Sequence, residues 1–216
     1  MKEIDRSKAR LTGVRVHLIT NRHLVQGPLE RAIQAALEGG VHAVHLREPD
    51  FPAGALYTLA KGLRDITRGH ALLIVNDRLD VALAVGADGV QLPGRGLPVA
   101  VARSLGGKDF LIGRSVHSVE EALQAEADGA DYLLLGTIYA TRSHPEIIPC
   151  GPTLVAEVCQ AVDIPLYAIG GIEAHNAAVV MRAGAAGIAV ISAILGASDI
   201  KEATRRLVQA VEGFER

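Results

Sequence analysis

The stretch Val85-Gly86-Ala87-Asp88-Gly89-Val90-Gln91-Leu92-Pro93 decides the fold. Its first residues read as a helix end, where a glycine at or near the C-cap takes the left-handed conformation that stops the helix. After a link of two or three residues comes Gly89-Val90-Gln91, the start of a short apolar run of strand type. The same succession recurs at Glu38-Gly39-Gly40-Val41-His42-Ala43-Val44, at Asp128-Gly129-Ala130-Asp131-Tyr132 and at Ala183-Gly184-Ala185-Ala186-Gly187-Ile188. One pattern met four times is an internal repeat.

Working outward, eight short runs rich in Val, Ile and Leu span the chain. They are Val14–Thr20, Ala43–Arg47, Leu72–Asn76, Gly89–Gln91, Leu111–Ser115, Tyr132–Gly136, Leu166–Ile169 and Gly187–Ile191. Continuous rather than alternating apolar runs fit strands buried on both faces. Helical stretches fall between them, among them Leu29–Glu38, Ala53–Thr67, Val119–Asp128, Thr153–Ala161 and Ile200–Glu212, with Ser118 as the N-cap of the third. The four repeat units precede strands two, four, six and eight, so each quarter holds two βα units. The expected class is α/β, a single (β/α)8 TIM barrel over residues 14–216 behind an N-terminal extension, residues 1–13. A doubly wound open sheet would carry a dinucleotide fingerprint after its first strand, and Thr20-Asn21-Arg22-His23 is not one.

Composition narrows the function. With 216 residues and 49% hydrophobic content the chain can bury one sizeable core. Lys plus Arg number 22 against 24 for Asp plus Glu, so the basic excess that holds a nucleic-acid backbone is lacking. Aromatic residues at 3% are too few for base-stacking platforms. No apolar run reaches membrane-spanning length and the start mixes both charge signs, so the expectation is a cytoplasmic protein with no membrane or nucleic-acid partner. Cys150 and Cys159 match no zinc spacing, and no metal site is expected from them.

In a barrel the residues ending each strand face one mouth, where the chemistry of this fold occurs. Here those ends are polar: His45-Leu46-Arg47-Glu48, Asn76-Asp77, Gln91, Arg114-Ser115-Val116-His117, Gly136-Thr137, Gly170-Gly171 and Ile191-Ser192. The last two pairs follow strands seven and eight, the usual phosphate position, and glycine lets the backbone approach an oxyanion. Gly170, Gly171, Ile191 and Ser192 are therefore the candidate phosphate site. The long connection Thr137–Cys150, carrying Tyr139, Thr141, Arg142, Ser143, His144 and Glu146, is the candidate lid.

These residues resemble the thiamine phosphate synthase and TenI superfamily of small phosphate-binding barrels. The resemblance is carried by Leu18-Ile19-Thr20, His45-Leu46-Arg47-Glu48, Asn76-Asp77-Arg78-Leu79-Asp80, Gly86-Ala87-Asp88-Gly89-Val90-Gln91-Leu92-Pro93, Ile112-Gly113-Arg114-Ser115-Val116-His117-Ser118, Ala130-Asp131-Tyr132 and Ala168-Ile169-Gly170-Gly171-Ile172. The synthase pattern implies Mg²⁺ and a departing pyrophosphate. It has a Lys where this chain has Pro49, a second metal-binding Asp at the position of Gly96, and a Lys at that of His144; Asp77 is kept. Val90-Gln91-Leu92-Pro93 and Gly113-Arg114-Ser115-Val116-His117-Ser118 look like the TenI branch.

The resulting expectation is a TenI-like thiazole tautomerase of thiamine biosynthesis. It would move a proton on a carboxythiazole phosphate without a cofactor, with Mg²⁺ entering only under the synthase reading. The alternatives are the synthase itself and a non-catalytic, regulatory barrel that binds a thiazole phosphate. Thr137 occupies the branch's proton-moving His position. His144, on the long loop, is then the leading base, with Glu48 as its rival. Arg47, Asn76, Ser115 and Thr141 complete the substrate contacts. The expected partner is a phosphorylated thiazole, and self-association is left open.

Overall fold

A computed structural model describes residues 10–141 and 147–214. Eight parallel strands close into a barrel in chain order, β1 pairing with both β2 and β8. They are β1 (Val16–Ile19), β2 (Ala43–Leu46), β3 (Leu72–Asn76), β4 (Gly89–Leu92), β5 (Leu111–Val116), β6 (Tyr132–Leu135), β7 (Leu166–Ile169) and β8 (Gly187–Val190). The α-helices around them are α1 (Leu29–Glu38), α2 (Ala53–Thr67), α3 (Leu79–Ala84), α4 (Val99–Gly106), α5 (Val119–Ala127), α6 (Gly151–Ala161), α7 (Ala177–Arg182), α8 (Ser192–Leu195) and α9 (Ile200–Val211). Ser118 caps α5 by accepting from Glu121 N. The sequence periodicity did not single out α3, α4, α7 and α8, because two to three turns or fewer leave too short a window for a 3.6-residue period. Strand β1 starts at Val16 rather than Val14, since Val14 N closes a turn onto Leu11 O.

The repeat has a hydrogen-bonded basis at the bottom of the barrel. Asp88, entering β4, accepts from Leu73 N at 2.8 Å and from Arg64 of α2 at 2.6 Å. Asp131, entering β6, does the same with Ile112 N at 2.7 Å and Arg103 of α4 at 2.6 Å. His42, entering β2, accepts from Val16 N at 3.2 Å. Three of the four quarters thus tie the entry of one strand to the entry of its predecessor through a side chain. Arg10 pairs with Asp88, and Leu11 is buried among the interior residues, so this part of the N-terminal extension closes the barrel floor.

Helix faces and strand exteriors form the main core, from Ile33 and Leu63 to Leu207 and Val211. Burying one such aliphatic side chain is worth about 1.5–3 kcal/mol. The barrel interior is a separate cluster around Ile19, Ile74, Leu111, Tyr132, Leu134 and Tyr167. It is also polar: His17, His45 and Gln91 are each 1% exposed. Gly113 makes this possible, since a Cβ there would stand 2.2 Å from both Gln91 Oε1 and Tyr132 Cζ.

Candidate functional site

A cavity of about 490 Å³ opens at the C-terminal ends of the strands. Arg47, Glu48, Asn76, Ser115, Thr137, Thr141, Gly170, Gly171, Ile191 and Ser192 all line it. His144, the proposed base, lies outside the described residues.

On the β7–β8 side, Gly170 and Gly171 adopt φ of 103° and 62°, a region that favours glycine. A Cβ on Gly170 would meet Thr137 Cγ2 at 2.6 Å, and one on Gly171 would meet Ala140 O at 2.5 Å. The close approach that requires glycine is therefore also to the β6–α6 connection, which continues the sheet through Ile138 N to Ile169 O and Tyr139 N to Gly170 O. Among the described residues, the amides of Gly171, Ser192 and Ala193 have no intramolecular acceptor. As first-turn and bare-glycine N–H groups they suit an oxyanion.

On the opposite side, Asp77 has φ of 64° and donates its N–H to Gln91 O at 2.8 Å, which swings its carboxylate over the mouth. Arg78 and Arg95 line the cavity beside it. Arg114 holds the β4 loop through Pro93 O at 3.0 Å and Gly94 O at 2.8 Å, fixing the segment that carries Arg95. Position 96 faces Asp77, with a Cβ there falling 2.8 Å from Asp77 Oδ1, so glycine keeps that side of the carboxylate open. One carboxylate, water and a diphosphate together make a donor set that Mg²⁺ accepts. No cluster of three or more metal-ligating side chains exists among the described residues.

Glu48 is 4% exposed and engaged. It accepts from Arg22 N at 3.0 Å and Arg22 Nη1 at 3.1 Å. The Arg22 guanidinium also pairs with Asp50, holding that carboxyl well below the usual range, and lies 4.3 Å over the Phe51 ring. With Arg47 N donating to Thr20 Oγ1 at 2.9 Å, this clamp sets the backbone on which Arg47 stands. Thr137 gives its carbonyl to Cys150 N at 2.9 Å, tying the two ends of the long connection together. Nothing in the sequence pattern singled out Arg22, because its partners are 26 and 28 residues away.

His45, counted from the sequence among the mouth histidines, lies below the cavity instead. Its Nε2 meets His17 Nδ1 at 2.8 Å. Burial pushes the His45 imidazole down to about 3 and lowers His17 well below its ordinary value, so both are neutral. His117 does reach the cavity; its Nδ1 donates to Gly136 O at 2.5 Å, leaving Nε2 as the remaining nitrogen. Ser115 Oγ accepts from Gln91 Nε2 at 3.1 Å.

Fold and site together define a (β/α)8 barrel with a polar cavity at its C-terminal mouth. The family described as thiamine monophosphate synthase (TMP-TENI) matches residues 16–194, and the chain belongs to it. Thiamine-phosphate synthase from Chloroflexus aurantiacus is 47% identical over 204 residues, covering 93% of this chain and 94% of its own. That from Pyrococcus abyssi is 42% identical over 200 residues, covering 92% and 95%. The solved thiamine phosphate pyrophosphorylase from Pyrococcus furiosus superposes with a TM-score of 0.87 at 41% identity, covering 98% of this chain and 99% of its own.

These relatives overturn the tautomerase expectation, since near-complete matches at this identity carry the synthase name. The error lay in letting three positions, Pro49, Gly96 and His144, outweigh a match that runs along nearly the whole chain. Arg47 and Arg95 supply cations to the cavity where Pro49 does not, and Asp77 remains its carboxylate.

Proposed function

We propose that the chain joins a hydroxymethylpyrimidine diphosphate to a thiazole phosphate, forming thiamine phosphate and pyrophosphate. The observation that carries this is a pair of anion stations across one cavity: the bare amides of Gly171, Ser192 and Ala193 on one side, and Arg47 and Arg95 with Asp77 on the other, Arg78 beside them being paired with Asp80. One side follows β7 and β8 and the other β2, β3 and β4, and β3 and β7 are diametrically opposed in the barrel order. Isomerising a carboxythiazole phosphate would ask the second station to hold one carboxylate, whereas coupling asks it to hold a diphosphate, which two guanidinium groups and a carboxylate able to take Mg²⁺ suit better. The synthase relatives support the same reading.

In this reaction the methylene carbon of the pyrimidine loses its bond to the diphosphate oxygen, and the electron pair leaves with pyrophosphate. The thiazole ring nitrogen supplies the new pair, and that nitrogen has no proton to lose. The demand on the protein is thus alignment and neutralisation of the leaving group rather than general base catalysis. Arg47 and Arg95 meet the diphosphate, and the β7–β8 amides hold the thiazole phosphate. Asp77 would hold Mg²⁺, which when bound neutralises the departing pyrophosphate. The test is to incubate the purified protein with both substrates and Mg²⁺ and to separate products chromatographically. Thiamine phosphate should accumulate and chelator should stop it. Binding of both substrates with no product would overturn the reading.

A further inference from the structure

Gln91 and Tyr132 present a polar pair that the coupling chemistry does not call on. Register places Gln91 of β4 opposite Gly113 of β5, and Gly113 opposite Tyr132 of β6. Because Gly113 has no side chain, the Gln91 carbonyl oxygen and the end of the Tyr132 ring both come within 2.2 Å of the point where its Cβ would be. Gln91 is 1% exposed and Tyr132 is fully buried. Yet Gln91 Oε1 and the Tyr132 hydroxyl are both without a hydrogen-bond partner in the structure. Two buried orphans converging on one small space are what an internal water satisfies, because an unpaired buried polar group is costly and water needs several polar neighbours. Behind them stand His17 and His45, with ring centroids 5.8 Å and 6.3 Å from Tyr132.

The other end of Gln91 faces the site. Its Nε2 donates to Ser115 Oγ at 3.1 Å, and both residues line the cavity. An amide nitrogen only donates, so it occupies a lone pair of the hydroxyl, and the Ser115 proton must be directed elsewhere. We infer that Gln91 is a positioning residue: held by a buried water shared with the Tyr132 hydroxyl, it turns the Ser115 O–H into the cavity as a donor. Ser115 then selects an acceptor atom on the substrate, a ring nitrogen or an oxygen, and rejects an amino group at that place. The kinetic arm of the test rests on the coupling reaction proposed above; the binding and structural arms do not.

The experiment pairs Tyr132→Phe and Gln91→Met with Ser115→Ala, singly and combined. It reads calorimetric affinity for the pyrimidine diphosphate and for the thiazole phosphate, and KM against kcat for coupling. Tyr132→Phe, which deletes one oxygen outside the cavity lining, should weaken one of the two substrates about fivefold or more and raise its KM, with kcat little changed. In the Ser115→Ala background the same change should have less than a twofold effect, because the group it acts through is gone. A high-resolution crystal structure should show a water within hydrogen-bond distance of both Gln91 Oε1 and the Tyr132 hydroxyl. An undiminished effect of Tyr132→Phe or Gln91→Met without Ser115 would mean a purely structural role and overturn the inference. So would a dry site with Gln91 as placed here. A protein that binds both substrates and makes no product overturns the coupling reading alone, and the affinity cycle still decides this one.

Discussion

Replacing Glu48 with Gln separates two accounts of the same carboxylate. As a general base it would contribute about 10²–10⁴-fold in rate, and the amide would forfeit all of it. The structure instead has both oxygens accepting from Arg22, one from the backbone N–H and one from Nη1. Glutamine keeps the shape and one acceptor, so one donor loses its partner. Nη1 still has Asp50 at 2.6 Å, which puts the loss at the low end of the range for an unsatisfied buried group, about 1 kcal/mol. For a chain of this length that corresponds to a fall in Tm of about 2–4 °C. Turnover should drop by less than about tenfold, mostly through KM as the Arg47 backbone loosens. The assay is steady-state kinetics of thiamine phosphate formation beside a thermal melt. A loss of two orders of magnitude in kcat with KM and Tm unchanged would show that Glu48 handles a proton and that the clamp is incidental.

Four further outcomes follow from the geometry. Gly171→Val forces a side chain toward Ala140 O from a backbone at φ 62°, so thiazole phosphate affinity should fall at least tenfold by calorimetry; unchanged affinity would remove the phosphate from that loop. Asp77→Asn should raise the Mg²⁺ concentration for half-maximal coupling about tenfold or more and leave thiazole phosphate affinity alone, as titration at fixed substrate would show. Asp131→Ala orphans Ile112 N and unpairs the quarter-exposed Arg103, a loss of about 2–3 kcal/mol and roughly 4–12 °C in Tm. Finally, His45 is neutral when folded, with its value near 3, and binds a proton when unfolded below about 6.5. Stability is thus complete above pH 6.5 and is lost as pH falls toward 3, at about 1.4 kcal/mol per unit. Melts of wild type and His45→Leu across pH 5–7 should diverge in slope, and parallel curves would refute the assignment.

The barrel was readable because its signals are local. A glycine helix stop followed two residues later by a buried run needs no long-range information, and Gly86-Ala87-Asp88-Gly89 and Gly129-Ala130-Asp131-Tyr132 each contain the whole device. The mouth residues were readable for the same reason, as polar positions directly after apolar strands. What sequence reading could not supply was which polar groups are already engaged. Glu48 read as a rival base because its partner Arg22 lies one βα unit away, and His45 looked like a mouth residue because depth in the barrel is set by register. His45 pairs with Ile19 across β1 and β2, yet its ring meets His17 below. Arg95 was passed over because the loop that carries it is braced by Arg114, a contact across two strands.

The two ends of the barrel treat the repeat differently. At the bottom, three of the four quarters use the residue entering an even-numbered strand to accept from its predecessor: His42, Asp88 and Asp131. The fourth has Ala186, with no side-chain acceptor, and there β8 is held through Ile188 N to Arg15 O while Gly187 lets that backbone come close. Sequence symmetry is therefore kept where the task is closing a barrel, and relaxed where chain entry itself fills the fourth position. At the mouth no quarter resembles another: β2 ends in Arg47, β4 in Gln91, β6 in Gly136 and Thr137, and β8 in Ile191 and Ser192. A reaction between two unlike substrates needs unlike groups around one cavity, and a fourfold mouth could not offer bare amides on one side and guanidinium groups on the other. Three quarters stay alike at the bottom and none at the mouth, which is the end where this fold carries its chemistry.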